Sequence, residues 1–459
     1  MGTTFQTVEG PRSGLRKLLA ISSAGCAVVF IALLGVMGMS LLPVTVATAS
    51  VLVLWATFKY PTQGLGLFLA FIPTYTLLFL LAKFFGPPYI GALEGADRGA
   101  LLLLAFGLWC KNGIHLTRPD WLLLACFGLA TAHFIFGGSL LALLSDFNFV
   151  IAYAAGRLTT LDGDREQYWA TRAVWIVSLL AVLGMVEVFI IGEGPRTVLY
   201  LAVSRGGTDG NALDAAFHAQ GYLGLRESST MFGPLQFAPL CMAALVIWWI
   251  YSRKTIPGLM LAAGLICTVT RSAWVGTAVA LGFVSVQLGE TRRLLKAGAV
   301  MLALFIAAIP VLGLTDYLKS TKSGEDPSAQ GHRESIIEGI QFIAQHPFGV
   351  GPGNAGKLAV KTEGTAFSVE DTYLTFAAEY GIGTVICFIA FLVSLVRYLR
   401  PEPTKLDLVA LGVVVGFSAV MTFAALHDVF PLACWLWFPV GLAVRSRMER
   451  LHTTADTAV

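Results

Sequence analysis

The feature that most limits the fold is a succession of apolar runs, each near 20 residues, separated by polar or basic segments. A helix of about that length crosses a 30 Å hydrocarbon core, and only helices or closed barrels satisfy their backbone groups there. The runs fall at 18–37, 40–58, 64–82, 99–112, 121–136, 139–156, 173–191, 231–251, 256–270, 272–288, 297–314, 371–396, 406–425 and 431–444. They predict an all-α integral membrane protein, a polytopic bundle of about 12–14 transmembrane helices with a long helical extracytoplasmic loop. Several runs are short enough to be re-entrant or broken helices, tolerated where protein or a wet cavity covers the freed backbone. With 56% hydrophobic residues against 13% charged, soluble globules and disordered chains are excluded. A net charge of +3 without a long basic block gives nucleic acid no footing.

Positive charges set the orientation. With a cytoplasmic N-terminus, the inside segments hold about 20 of the 31 Lys and Arg residues, from Arg12, Arg16 and Lys17 to Arg445, Arg447 and Arg450. Both termini are then expected in the cytoplasm. Parity turns on the apolar stretch between Arg253/Lys254 and Arg292/Arg293, interrupted by Arg271 alone. Two short spans meeting at Arg271 keep both basic pairs on one side and place Arg271 at the outer surface. The predicted organisation is a tail at 1–17, spans within 18–191, a first outer loop at 192–230, spans within 231–314, a large outer loop at 315–370, spans within 371–444 and a tail at 445–459. All seven cysteines lie in apolar stretches without a C-x-x-C pair, so neither a disulfide frame nor a thiolate metal site is expected.

The candidates for chemistry cluster in and beside the outer loops. Arg271, in Val269-Thr-Arg-Ser-Ala-Trp-Val-Gly276, suits either an interfacial anchor beside Trp274 or a planar fork gripping phosphate oxygens. Arg226 precedes Ser228-Ser229-Thr230, a hydroxyl cluster fit to cap a helix or to donate to an anion. Arg333 opens a stretch in which Ile336, Ile337, Ile340 and Ile343 share one face, predicting an amphipathic helix on the membrane or over a cavity. Arg333 is placed to pair with Glu334 or Glu338, or to reach a phosphate. His346 follows, then a glycine-rich run to Asn354 whose backbone is free to approach a ligand; it lacks the Gly-Lys-Ser/Thr of a P-loop. Asp371 and Glu379 are two helical turns apart and suit an N-cap and a buried counter-charge, or a base for a sugar hydroxyl. His133, Asp146 and Glu187 fall inside apolar runs, where a proton or ion path is the transporter alternative.

Taken in order, these pieces resemble the O-antigen ligase and O-antigen polymerase superfamily. The resemblance rests on Arg226 with Ser229 to Pro234, Thr270 to Gly276, Arg333, His346 to Gly353, Asp371-Thr-Tyr-Leu374 and Glu379 to Gly383. It implies a GT-C-type glycosyltransferase at the outer face of a bacterial inner membrane, inverting and without metal or other cofactor. Its implied partners are a glycan on undecaprenyl pyrophosphate as donor, a glycan acceptor, membrane lipid and a chain-length regulator. Arg226, Arg271 and Arg333 would hold the pyrophosphate, with Asp371, His346 and Glu379 as the catalytic candidates. Family ligases carry His-Asn where this chain has Asp371-Thr372. That departure favours a polymerase of exopolysaccharide or O-antigen repeat units over a ligase to lipid A core.

Overall fold

The computed structural model describes residues 59–60, 62–70, 72–73, 90–135, 137–192, 226–227, 229, 231, 233–252, 254–312, 315, 327–355, 369 and 371–457. The N-terminal tail, the runs at 18–37 and 40–58 and most of the first outer loop lie outside these residues. Helices account for nearly all the rest. They are α1 (Ile90–Asn112), α2 (Arg118–Ile135), α3 (Leu140–Asp146), α4 (Asn148–Leu158), α5 (Gly163–Val186), α6 (Pro234–Tyr251) and α7 (Thr255–Cys267). After these come α8 (Arg271–Leu288), α9 (Thr291–Val311), α10 (Pro327–Gln345), α11 (Thr372–Leu399), α12 (Lys405–Met421) and α13 (Phe430–Thr457). Among the described residues no strand is present, and the protein is an all-α integral membrane protein. Four helices there are long and apolar enough to cross a bilayer: α5 with the π-helical turn Glu187–Ile191, α6, α9 and α11.

Local signals account for the boundaries. The Asp162 and Asp371 carboxylates cap α5 and α11 by accepting from Arg165 and Leu374 backbone N–H groups. Thr404 and Asp407 form a reciprocal capping box at α12. The apolar run at 139–156 breaks at Phe147 into α3 and α4, and the run at 431–444 continues as helix through the expected tail to Thr457. The pair α7 and α8 reproduces the two short spans expected to meet at Arg271.

Lipid supplies little hydrophobic drive between helices, so close packing holds the bundle. The tightest crossing joins α4 to α13. A Cβ on Gly156 would lie 2.1 Å from the Phe438 carbonyl oxygen, and one on Gly441 2.0 Å from that of Tyr153. At the centre, α6 buries most of its circumference, including Phe237, Leu240 and Trp249.

The two ends of the bundle differ in chemistry. At one end Asn112 donates to the Leu158 carbonyl, Arg447 to the Glu402 backbone carbonyl, Arg450 to the Asp407 carboxylate and Arg293 to the Trp249 carbonyl. There the fully buried Arg157 pairs with Asp120 at 2.9 Å. The opposite end carries the candidate functional residues.

Candidate functional site

The turn between α7 and α8 is the natural starting point. Its Val269 sits at φ 48°, a left-handed conformation that a β-branched residue rarely adopts. Such strain persists only where the surroundings enforce it. Arg226 supplies that enforcement: its Nε donates to the Thr268 carbonyl at 2.9 Å, and its Nη2 to the Val269 carbonyl at 3.3 Å and Thr270 Oγ1 at 3.0 Å. The Glu227 N–H donates to the Cys267 carbonyl at 3.0 Å. Arg226 is buried and clasps the turn from which Arg271 starts α8.

Arg271 is half-buried at the first position of α8, where unpaired backbone N–H groups already favour an anion. The Trp274 Nε1 donates to the Leu265 carbonyl at 3.0 Å, and its ring meets Phe305 edge-on. Ser229 gives its hydroxyl hydrogen bond to the Leu180 carbonyl at 2.7 Å. Helix α6 starts only at Pro234, behind Gly233, so Ser229 does not cap it; Ser228 and Thr230 lie outside the described residues.

Helix α12 carries this corner across to Asp371. It packs antiparallel to α8, with Gly276 against Val420 and the Gly416 carbonyl, so the end of α12 meets the start of α8. Just beyond it, the Ala424 carbonyl accepts from Thr372 Oγ1 at 2.9 Å, and Phe423 lies 6.2 Å from the His332 ring. Arg226, Arg271, His332 and Asp371 are thereby gathered at one end of the bundle. Arg333, adjacent to His332 on α10, is exposed there.

Burial raises the Asp371 carboxyl above its ordinary value, opposed by the Leu374 and Tyr373 N–H groups and by the charge of His332. His332 is a residue that sequence reasoning passed over; nothing in the pattern of Gly331-His-Arg-Glu-Ser335 said which way its ring turns.

Helix α10 packs along the start of α11, with Gly339 facing Val369 and Leu374, and Ile343 buried against Ala377 and Ala378. Ile337 and Ile340, expected on the same inward face, are exposed. The helix delivers His346 to Pro347, whose carbonyl accepts from the Ile382 N–H at 3.1 Å, about three turns along α11 from Asp371. His346 is exposed, its ring tilted against that of Phe342 at 4.8 Å, and is not brought to Asp371.

The glycine-rich run approaches a helix rather than an open pocket. Helix α11 is broken at Gly381, φ 78° and ψ 165°, which frees backbone groups of the preceding turn. Val350 and Gly351 donate to the Ala378 and Glu379 carbonyls at 2.9 Å each, and Gly349 (φ 79°) packs so closely that a Cβ would lie 2.5 Å from the Glu379 carbonyl oxygen. On its other side, the Pro352 carbonyl accepts from the Ser139 N–H at 2.8 Å.

Glu379 is buried one layer deeper than Asp371 and shares none of its neighbours. Its charged surroundings are Asp146 and Asp428, and its Oε2 has no hydrogen-bond partner among the described residues. Asp146 accepts from the Tyr380 hydroxyl at 2.6 Å and pairs with His427 at 3.3 Å. Tyr380 and His427 had no distinguishing sequence signal, since each lies in an ordinary aromatic or loop context. His133 spends its Nδ1 on the Leu129 carbonyl at 2.8 Å, away from this layer. Among the described residues, no three His, Cys, Asp or Glu side chains are grouped as metal ligands.

Fold and site together define a multi-helix membrane protein with an arginine-bearing polar end, a capped aspartate beside it and a helical loop folded back along a broken span. Residues 256–389, under a third of the chain, match the family model described as O-antigen ligase, which supports the O-antigen ligase and polymerase superfamily for this part. The match runs from α7 through α8, α10 and the Asp371 cap into α11. It supports an O-antigen ligase- or polymerase-type membrane enzyme that transfers glycosyl groups from lipid-linked glycan substrates. A search of curated proteins found no match to the chain.

Proposed function

We propose that the protein polymerises exopolysaccharide or O-antigen repeat units at the outer face of a bacterial inner membrane, using undecaprenyl-pyrophosphate-linked glycan as donor. The observation that carries this reading is that the start of α8, with Arg271 and its Arg226-clasped turn, and the Asp371 cap of α11 both adjoin the end of α12 at one end of the bundle. In the reaction, an acceptor hydroxyl oxygen attacks the anomeric carbon of the donor. The bond from that carbon to the pyrophosphate oxygen breaks with inversion, and the pyrophosphate leaves with the electron pair. Asp371 takes the hydroxyl proton. Arg271 and Arg333 grip the leaving oxygens, while Arg226 adds charge and holds the turn. Guanidinium groups aligned beforehand stabilise the charge that develops as the bond breaks, without a metal ion in the scheme.

The test uses the purified full-length protein in liposomes supplied with lipid-linked repeat units. Longer glycan on the carrier supports polymerisation; glycan on lipid A core would make it a ligase, and movement without new bonds a transporter. Arg271→Ala and Arg271→Lys are both expected to lose at least about 100-fold in turnover, the cost of one transition-state donor. Lysine cannot reproduce the planar fork. Near-normal turnover by Arg271→Lys would rule out the bidentate role.

A further inference from the structure

At the basic end, away from the candidate site, an apolar cavity opens between helical residues 62–70, α5, α6, α12 and α13. Its cavity volume is about 150 Å³, less than a drug-sized pocket, and it is half open to its surroundings. Its walls are hydrocarbon and aromatic: Leu65, Leu69, Trp169, Ile176, Trp435 and Phe438. Polar groups sit with Thr159, Glu166, Arg172 and Tyr251. The Glu166 carboxylate already accepts from the Tyr251 hydroxyl. Two cations remain. Arg172 lies 4.8 Å over the Tyr168 ring and Lys405 5.8 Å over the Tyr251 ring, and neither makes an ion pair among the described residues.

We propose that this cavity binds the acyl chain of an anionic phospholipid from the leaflet at the basic end, with its headgroup phosphate between Arg172 and Lys405. An apolar hollow of this size inside a bilayer takes up hydrocarbon, since water there would find no hydrogen-bond partners. Tyr168, Trp169 and Tyr251 provide the amphipathic rings that settle at headgroup level. Two cations without a carboxylate partner among the described residues, against one carboxylate already bonded to a hydroxyl, select an anionic headgroup over a zwitterionic one. Nothing in this proposal depends on the glycosyl-transfer reading.

The experiment compares phosphatidylglycerol with phosphatidylethanolamine added back to delipidated full-length protein in detergent, counting bound lipid by native mass spectrometry. Phosphatidylglycerol is expected to be retained at least about fivefold better, the discrimination of a single juxtamembrane charge or more. The double variant R172A/K405A removes that preference, and Ala173→Trp, which fills the cavity, lowers occupancy by both lipids. Equal retention of the two lipids by the natural protein overturns the proposal, as does an undiminished preference in R172A/K405A. Cross-linking of a cysteine at position 173 to residues 40–58 also overturns it, because the chain itself would then occupy the space. If Ala173→Trp fails to fold, the double variant still decides.

Discussion

Asp371 combines two tasks in one side chain. It caps α11 through Leu374, and burial lifts its carboxyl above the ordinary value. A raised carboxyl favours folding while protonated, and this contribution is lost as pH rises through the folded-state value, so ionised Asp371 costs stability near neutrality. Asn keeps the cap without the charge. Asp371→Asn should therefore melt no lower than the natural protein at pH 7 while losing glycan transfer; a residue that only capped the helix would leave transfer intact. Activity of the natural protein should also fall on acidification with a midpoint above that of an exposed aspartate, read from a pH profile of initial rates. At the other end, Arg157 is 1% exposed and depends on Asp120. Asp120→Ala leaves a buried unpaired guanidinium and should cost about 3–5 kcal/mol, whereas adding Arg157→Met should recover much of the loss in a thermal melt.

Elements that announce themselves by length and polarity were legible in the sequence. The pair α7 and α8 was, because a lone arginine in a long apolar stretch forces a turn. The α11 cap was also legible, because Asp before an apolar run is a local signal. What escaped depends on contacts between distant segments. Nothing local tells that Val269 is left-handed, that His332 turns toward Asp371 while His346 does not, or that the Pro347–Gly353 run fills a break in α11. Glycines at such contacts make sharp tests. Gly441→Ala would drive a methyl into the Tyr153 carbonyl and separate α13 from α4, lowering the melting midpoint by several degrees, more than Gly282→Ala, where a Cβ meets open space. Gly349→Ala carries both a positive φ and a clash with the Glu379 carbonyl, and should cut glycan transfer while leaving the basic end of the fold intact by protease mapping.

For the whole molecule, the separation of basic and candidate-site ends makes a prediction about sidedness. A cysteine placed at Phe348, which is 81% exposed, should react with an impermeant maleimide on intact cells stripped of their outer membrane. On the proposed location and orientation, one at Arg447 should react only after the inner membrane is opened, and reversed labelling would invert the orientation. The turn that fills the break in α11 has a mechanical consequence. Its backbone is fastened to that span by three hydrogen bonds and to the start of α3 by a fourth, so α10 cannot swing outward like a hinged flap without tearing open the span itself. On the proposed function, this rigid backbone, and not a closing flap, would orient a lipid-borne sugar before any bond is made.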